Sequence, residues 1–260
     1  MPVIWDRSGP VGVALIDRPE RRNALSAELC DELLTTLVEN RDLGAVVIGG
    51  TGSKAFCAGA DLGRRADDLA GGGLEHGGGD RFRPAFDALL DAIVAYPAPV
   101  IAAVNGAALG AGMQLAIACD LRVVAPHAKF GIPAGKLGVV LSAPNIHRLA
   151  LVVGQATARD VLLTARVLDV DAAERVGLVQ RRGPDAVVSA RALAEEIAAL
   201  APLSVRSHKQ ALNAVAAAAD LDEPRRAMLA SLEAQAFASD DLQEGLAAFS
   251  EKRPPRFEGR

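Results

Sequence analysis

The sequence predicts an α/β fold with a mainly parallel sheet, followed by a helical region at the C-terminus. Short, continuous apolar runs such as Ala45–Ile48 and Val100–Val104 alternate with longer helix-forming segments, which is the pattern of buried parallel strands joined by crossover helices. From about Ala190 onward the chain is rich in alanine and has no strand-like run. We therefore expect a core over residues 1–190 and a helical region over residues 191–260.

The first part of the chain alternates between strand and helix signals. Val11–Ile16 has the composition of a strand, and Ser26 can cap a helix that runs to about Asn40, because its hydroxyl can accept a hydrogen bond from the first turn. The buried strand at Ala45–Ile48 leads into a loop over Gly49–Ala60. Two glycine triplets within residues 71–79 then predict a flexible surface loop.

The middle of the chain continues this alternation. A helix over about Arg81–Ala95 ends before two prolines, and Val100–Val104 is the next buried strand. Ala107–Cys119 is predicted to be a helix interrupted by glycine, and Leu121–Val124 another strand. Strands that alternate with helices in this way predict right-handed crossovers. The C-terminal region is predicted to contain helices over Ala190–Leu200, Pro202–Ala219 and Pro224–Ser239.

Charge and composition argue against several classes of function. Lys plus Arg number 28 and Asp plus Glu number 32, a net charge of −4, whereas nucleic-acid-binding proteins usually carry a basic surplus. The cysteines Cys30, Cys57 and Cys119 have no metal-ligand spacing, and the longest apolar run, Pro99–Ala108, is too short to span a bilayer. The N-terminal segment lacks the apolar stretch of a signal peptide. We expect a soluble, cytoplasmic protein that binds no metal, membrane or nucleic acid.

Several motifs occur in a fixed order along the chain. They are RPERRNAL (Arg18–Leu25), GTGSKAFCAGADL (Gly50–Leu62), AVNGAALGAGMQLAIACDLRVVA (Ala103–Ala125), KFGIPAGKLG (Lys129–Gly138) and EKRPPRF (Glu251–Phe257). With this ordered set the chain resembles the crotonase superfamily, the enoyl-CoA hydratase/isomerase proteins, along nearly its whole length. The resemblance implies a spiral of ββα turns, a helical trimerisation region at the C-terminus, and assembly as a homotrimer or a dimer of trimers.

The resemblance also implies a binding site for an acyl-CoA or enoyl-CoA thioester. When a thioester forms an enolate, negative charge collects on the carbonyl oxygen, and backbone N–H groups aimed at that oxygen stabilise it. In the family, one donor is the residue before the Asp of the AGAD segment, which is Ala60 here. The other is the middle residue of a glycine-rich triplet, which is Ala111 here. Alanine in place of glycine keeps the N–H and adds only a methyl group.

The family pattern also indicates where CoA itself lies. Since CoA is part of the ligand, no separate cofactor is expected. Basic residues that could contact its phosphates are Arg22, Lys54 and Arg64, with Lys252 or Arg253 from the C-terminal motif. The residues implied to line the pantetheine and adenine are Arg22, Ala24, Ala58, Ala60, Asp61 and Leu62.

Two positions that carry glutamate in the family's hydratases are occupied differently in this chain. Hydration of a 2-enoyl-CoA needs one carboxylate to deprotonate a water and another to handle the proton at Cα. These positions are Gln114 and Ala134, and neither residue can act as a general base near neutral pH. Other branches of the family place an aspartate where this chain has Ser142. The surrounding residues form an apolar lining suited to an alkyl chain: Ile132, Leu137, Val139, Val140 and Leu141.

Three other side chains have both a structural and a functional interpretation. We expect Asp61 to cap a helix and organise its loop rather than take part in chemistry. Cys57 is expected to be a small buried core residue rather than a nucleophile. His147, which follows Ser142 on a predicted helix, is the histidine that we place nearest the pocket.

Three functions remain open on these observations. The first is a protein of fatty-acid metabolism that binds acyl-CoA through a backbone oxyanion hole and has little hydratase activity. The second is an active enoyl-CoA hydratase or isomerase that uses an unusual base. The third is a non-catalytic structural or regulatory partner of fatty-acid enzymes.

Overall fold

Two β-sheets and the helices packed on them make up the fold of this computed structural model, which describes residues 2–63, 81–218 and 237–256 with isolated positions between 223 and 234. The strands are β1 (Val3–Ser8), β2 (Val11–Ile16), β3 (Ala45–Gly50), β4 (Ala55–Cys57), β5 (Val100–Val104), β6 (Ala107–Leu109), β7 (Leu121–Val124), β8 (Lys129–Gly131), β9 (Val167–Asp169) and β10 (Arg181–Arg182). The helices are α1 (Ala27–Glu39), α2 (Phe82–Val94), α3 (Ala111–Ala118), α4 (Ala143–Thr164), α5 (Val170–Arg175), α6 (Ala186–Ala198), α7 (Pro202–Ala218) and α8 (Asp240–Glu251).

The strands are divided between the sheets in a repeating order. The larger sheet has the order β1-β2-β3-β5-β7-β10 and the smaller one the order β4-β6-β8-β9. In each of the consecutive pairs β3/β4, β5/β6 and β7/β8, the first strand enters the larger sheet and the second enters the smaller one. Since α3 follows β6 and α4 follows β8, the chain winds as ββα turns. The predicted fold class, an α/β spiral of such turns, is confirmed.

Helix α1 shows how local sequence positions an element on the core. The Ser26 Oγ accepts a hydrogen bond from the Leu29 N–H at 3.4 Å, which caps the helix as predicted. Leu29, Leu33 and Leu37 recur at a spacing of four residues and are buried. This spacing places them on one face of the helix, toward the core beneath β2 and β3.

The opposite face of the larger sheet is covered by α6. Its buried residues Ala186, Ala190, Leu193 and Ala194 pack against valines and alanines of β2, β3, β5 and β7. Small side chains on the helix allow its close approach to the sheet. The boundary predicted at residue 190 falls inside this helix, so the N-terminal half of α6 and its C-terminal half share one packing surface.

Several predicted strands and helices are confirmed, and the segment around Gly110 needs a correction. Val11–Ile16, Val100–Val104 and Leu121–Val124 are strands with the predicted bounds. The prediction of a helix over Ala107–Cys119 is wrong at its start: Ala107–Leu109 is strand β6, and the helix begins only at Ala111. Gly110, at φ +55°, separates the two elements. The strand was missed because its pairing with β4 and β8 is long-range.

Other differences have the same cause. The predicted loop Gly49–Ala60 contains β4, which is held by its parallel pairing with β6. Edge strand β1 was missed because its sequence, VIWDRS, mixes apolar and charged residues. The glycine-rich loop within residues 71–79 and most of the predicted helix Pro224–Ser239 lie outside the described residues. Within the described part of the chain, none of the helices combines the length and apolarity needed to cross a membrane.

Candidate active site

A cavity of about 690 Å³ brings together nearly all the residues singled out from the sequence. A short 3₁₀ turn at Pro19–Arg21 precedes the first of the loops around the cavity. The cavity lies where this loop and the loops after β4 and before α3 meet the segment that follows β8. Lys54 is exposed and does not line the cavity. The predicted residues that do line it are Arg22, Ala24, Ala58, Ala60, Asp61, Leu62, Ala111, Gln114, Ile132, Ala134, Leu137, Leu141 and Ser142.

The direction of the Ala60 N–H follows from a short parallel bridge. The Leu25 N–H donates to the Gly59 carbonyl at 2.9 Å, and the Asp61 N–H donates to the Leu25 carbonyl at 2.7 Å. All peptide bonds of the described chain are trans, and in a trans peptide the carbonyl and the following N–H point in opposite directions. Since the Gly59 carbonyl points at Leu25, the Ala60 N–H points away from it, on the side of the chain that faces the cavity.

The Ala111 N–H is oriented by the first turn of α3. The Gly110 carbonyl accepts a hydrogen bond from the Gln114 N–H at 3.2 Å, so this carbonyl points along the helix axis. The N–H of Ala111, on the other side of the same peptide, therefore points out of the helix N-terminus, where backbone donors have no intrahelical acceptor. The helix dipole adds positive potential at the same end. This N–H opens on the cavity that Ala60 also lines.

Glycines bring these two donor segments together. A Cβ added to Gly110 would lie 3.8 Å from the Gly59 Cα, and one added to Gly59 would lie 4.0 Å from the Ala111 nitrogen. A Cβ at Gly112 would overlap the Cys57 carbonyl group. Helix α3 therefore starts in van der Waals contact with the β4 loop. The close contact holds the two N–H groups at the same end of the cavity, as an oxyanion hole requires.

Asn23 and Asp61 hold the loops on either side of this pair. Asn23 is fully buried at φ +56°, and its Nδ2 donates to the Thr51 and Ala55 carbonyls at 3.0 and 2.8 Å. The Asp61 carboxylate is buried and accepts from the Arg18 guanidinium at 2.9 Å. This ion pair fits the structural role predicted for Asp61, that of organising its loop. The helix that Asp61 was predicted to cap lies mostly outside the described residues.

The two positions at which the resemblance implies glutamate in the family's hydratases, Gln114 and Ala134, line the cavity. Gln114 lies on the first turn of α3, and Ala134 begins a short 3₁₀ turn over Ala134–Lys136. The apolar residues predicted around them, from Ile132 to Leu141, line the same wall. The side chains at these two positions are therefore a neutral amide and a methyl group.

Sequence reasoning missed a second group of lining residues. Phe82, Phe86 and Asp87 of α2 and Asn145 of α4 all line the cavity, and so do Phe237 and Phe249 from the C-terminal region. The rings of Phe82 and Phe86 stack with their centroids 5.2 Å apart. Their spacing of four residues was a signal of a buried helix face, and it gave no indication that the face bordered a cavity.

Asp87 is the most unusual of these residues. Its Oδ1 accepts a hydrogen bond from the Asn145 Nδ2 at 3.2 Å, and its Oδ2 lies 3.9 Å from the Arg83 Nε. Burial against the apolar lining raises the pKa of its carboxyl above the ordinary value, and the Asn145 hydrogen bond only partly offsets this effect. Asp87 is therefore a half-buried carboxylate on the wall of the cavity.

Cys57 and His147 are not placed for chemistry on a thioester. Cys57 is fully buried, and burial raises the pKa of its thiol to about 12, which keeps it protonated near neutral pH. The structural interpretation of this residue fits the structure. His147 lines a second cavity, bounded by α2, α3, α4 and α7, and not the first one.

The chain belongs to the crotonase superfamily. Residues 6–260 match the family described as enoyl-CoA hydratase/isomerase. The ordered motifs and the ββα fold agree with this assignment, and so do two backbone donors at one cavity.

Named relatives cover almost the whole chain. The Mycobacterium tuberculosis protein named "Probable enoyl-CoA hydratase echA6" is 40% identical over 250 residues, which are 94% of this chain and 94% of that protein. "Probable enoyl-CoA hydratase echA8" of the same species is 38% identical over 266 residues, 99% of this chain and 98% of that protein. The crystal structure of carnitinyl-CoA hydratase from Mycobacterium avium covers 100% of this chain and 99% of its own, with 35% identity and a TM-score of 0.83.

Proposed function

We propose that this protein binds an acyl-CoA thioester of fatty-acid metabolism in a backbone oxyanion hole and has little hydratase activity. The observation that carries the proposal is a contrast within one cavity: the Ala60 and Ala111 N–H groups open on it, whereas Gln114 and Ala134 supply no carboxylate. The N–H groups bind a thioester oxygen whether or not a reaction follows. Hydration also needs proton transfer, which the lining at residues 114 and 134 cannot perform.

The other lining residues fit the two ends of such a ligand. Arg21 and Arg22 are exposed where the cavity opens, in a position to contact the CoA phosphates. Phe82, Phe86 and Phe249 form an apolar side with Ile132 and the residues up to Leu141. Hydrocarbon buried on such a side contributes about 25 cal/mol for each Å² removed from water. These features support binding of an acyl chain together with CoA.

An active hydratase or isomerase with an unusual base is the second candidate. Asp87 favours it, because a carboxylate with a raised pKa inside a pocket is the usual property of a general base. Of the other carboxylates that line the cavity, Asp61 is paired with Arg18 and Glu20 is exposed. Among the described lining residues, Asp87 is thus the one through which this alternative would operate.

Assembly and location are part of the same proposal. Helix α7 exposes the large apolar side chains Leu203, Leu212 and Val215, which supports burial of this helix in a homotrimer or a dimer of trimers. Cys30, Cys57 and Cys119 are buried free thiols, which is consistent with the reducing cytoplasm.

The test of the oxyanion hole uses proline at the first position of a helix. Ala111→Pro removes one N–H, and proline is well tolerated at this helical position. We expect calorimetry with a saturated acyl-CoA to show binding to the unmodified protein and about fivefold to tenfold weaker binding to the variant, the loss of one hydrogen bond. The matched control is Ala27→Pro at the same position of α1, which lies outside the cavity.

A second measurement separates the two candidates. Crotonyl-CoA and longer enoyl-CoAs are mixed with the protein, and the absorbance of the conjugated thioester is followed. We expect no turnover at ordinary enzyme rates of about 1–10³ per second. Turnover in this range that is abolished in Asp87→Asn would establish the second candidate and contradict the first.

A further inference from the structure

Two glycines bring the C-terminal helix α8 into backbone contact with the turn that follows β8. A Cβ added to Gly245, in the middle of α8, would lie 2.6 Å from the carbonyl carbon and oxygen of Leu137. A Cβ added to Gly138 would lie 2.8 Å from the carbonyl group of Asp241, in the first turn of α8. Each segment thus contributes one glycine to the contact. Since the opposing atoms are backbone atoms, no side-chain rotation can make room for a larger residue.

The same face of α8 leads to the cavity. Leu242, Gly245 and Ala248 are its buried residues, and their spacing of three places them on one side of the helix. Phe249 follows Gly245 by four residues, so its side chain leaves the helix one turn further along that side. The ring lines the cavity and is 61% exposed. The position of Phe249 at the cavity therefore depends on how closely Gly245 approaches the turn.

The turn passes the contact on to the reaction wall. The Ala134 carbonyl accepts hydrogen bonds from the Leu137 N–H at 2.9 Å and from the Val139 N–H at 3.1 Å. All three residues line the cavity. Gly138 lies between the two donors at φ +67°, a conformation that a residue with a side chain adopts only with strain. A displacement of Leu137 is thus transmitted to Ala134, and this wall and α8 are positioned together.

The segment just before α8 contacts another wall of the cavity. The guanidinium carbon of Arg83 on α2 lies 5.2 Å from the centroid of the Phe237 ring, the distance of a cation–π contact. Both residues line the cavity, as do Phe82 and Phe86 of the same helix. The described part of the C-terminal region therefore contacts both α2 and the turn after β8. The space between these walls depends on where α8 is held.

We propose that Gly138 and Gly245 are positioning residues for the acyl chain, because their backbone contact holds Phe249 and the turn after β8 where both pack against the hydrocarbon of the ligand. This inference rests on the proposed function, since it concerns the acyl end of the same ligand. Helix α8 is then a fixed wall of the cavity. A Cβ at residue 245 separates the helix from the turn, and even a small gap beside the hydrocarbon forfeits part of the dispersion attraction.

The test measures how acyl-CoA affinity increases with chain length. A series of saturated acyl-CoAs, from acetyl-CoA to decanoyl-CoA, is titrated into the protein by calorimetry. Each methylene that becomes buried should tighten binding to the unmodified protein by about fourfold. In Gly245→Ala we expect about twofold or less for each methylene, because the displaced walls pack less closely on the chain. The same increment in both proteins would overturn the inference, and so would an affinity of the unmodified protein that does not depend on chain length.

A second variant keeps the glycine contact and removes the ring that it positions. Phe249→Ala truncates a side chain that is already mostly exposed, so we expect it to fold. It should reduce the increment for each methylene as Gly245→Ala does. An unchanged increment in Phe249→Ala would contradict the assignment of α8 to the acyl wall. Misfolding lowers the amount of binding-competent protein and leaves the increment as it is, so it cannot imitate the expected result.

Two control variants should retain the full increment. Gly135→Ala lies in the same turn as Ala134, at a position where an added Cβ meets nothing within 4 Å. Leu163→Ala truncates another exposed apolar side chain, on α4 and outside both cavities. A reduced increment in either control would show that the effect is not specific to the contact between α8 and the turn.

The outcomes distinguish this inference from the function on which it rests. If saturated acyl-CoAs bind and the increment for each methylene is the same in Gly245→Ala, the proposed function stands and the positioning role is overturned. If no acyl-CoA binds to the unmodified protein, both are overturned.

Discussion

The two ends of the cavity differ in what they are made of. The proposed thioester end is built from backbone N–H groups at Ala60 and Ala111, and the N–H at residue 111 is kept although alanine stands there in place of glycine. The reaction wall is built from the side chains of Gln114 and Ala134, and it has no carboxylate. A backbone donor survives substitution of its side chain, whereas a general base does not. If the proposed function is correct, this fold keeps ligand binding while it lacks the groups that catalyse hydration.

The thioester end is also the better fixed of the two. Its loops are joined to each other by the Leu25–Ala60 bridge, by buried Asn23 and by the Arg18–Asp61 ion pair. In the reaction wall, Gln114 shares helix α3 with Ala111, whereas Ala134 lies in a short turn, Ala134–Lys136. The contrast in how the two regions are fixed is therefore confined to Ala134.

The largest expected effect comes from restoring carboxylates to the reaction wall. The double variant Gln114→Glu/Ala134→Glu should increase the rate of crotonyl-CoA hydration by at least about 10²-fold, because general acid–base groups typically contribute about 10²–10⁴-fold. The rate is measured from the loss of thioester absorbance. This result would show that the thioester end is still competent and that only the proton-transfer groups are missing.

A matched control moves one carboxylate by a single residue. In Gln114→Glu/Gly135→Glu the second glutamate lies on an exposed position where an added Cβ meets nothing within 4 Å. This double variant should hydrate crotonyl-CoA at about the same rate as the single variant Gln114→Glu. If the first double variant binds acyl-CoA and yet remains as slow as the unmodified protein, the contrast between the two ends is not the reason for the low activity.

An intermediate effect is expected from breaking the contact that fixes the thioester end. Gly112→Ala should lower the free energy of unfolding by about 1–3 kcal/mol, because the added methyl overlaps the Cys57 carbonyl. The gain in helix propensity on replacing glycine, about 0.5–1 kcal/mol, is smaller and opposite in sign. Denaturant unfolding measures the change. Gly135→Ala is the control, and a Gly112→Ala variant as stable as this control would contradict the close packing described.

The smallest effect concerns the C-terminal helix, which supplies Phe249 to the apolar side of the cavity. Arg253 donates to both Glu244 carboxylate oxygens at 2.6 and 2.7 Å and holds the pKa of that carboxyl at about 2. Since the folded-state pKa lies below the usual range, the stabilisation is present at neutral pH and is lost as the pH falls from that range toward 2. We therefore expect a lower Tm for Glu244→Gln at neutral pH, with a difference that disappears in acid.

The pH dependence of acyl-CoA affinity also distinguishes the backbone donors from the C-terminal helix. The Ala60 and Ala111 N–H groups do not titrate. A loss of acyl-CoA affinity over the same pH range as the loss of the Glu244 stabilisation would therefore be attributable to α8, which supplies Phe249 to the cavity. A Tm difference that is the same at neutral and acid pH would contradict the role given to the Glu244–Arg253 pair.

The residues that could be predicted from the sequence are those carried by local motifs. Ala60, Ala111, Gln114 and Ala134 each have a fixed place in a short segment, and the cavity contains all four. The strands Val11–Ile16 and Val100–Val104 were predictable because a continuous apolar run is a local signal of burial. The fold class follows from these elements taken together.

The residues that escaped prediction depend on contacts between distant parts of the chain. Asp87 looks like an ordinary helical surface residue until α4 brings Asn145 against it, 58 positions further along. Phe237 and Phe249 reach the cavity only because the C-terminal region folds back over it. Strand β6 was hidden for the same reason, since its partners are β4 and β8. Such pairings leave no periodic signal in the sequence.

The most direct test of the account is a crystal structure of the protein with a saturated acyl-CoA bound. We predict that the thioester carbonyl oxygen lies within hydrogen-bond distance, about 2.7–3.2 Å, of both the Ala60 and the Ala111 nitrogen atoms. A carbonyl oxygen bound elsewhere, with either nitrogen beyond that distance, would contradict the assignment of the oxyanion hole.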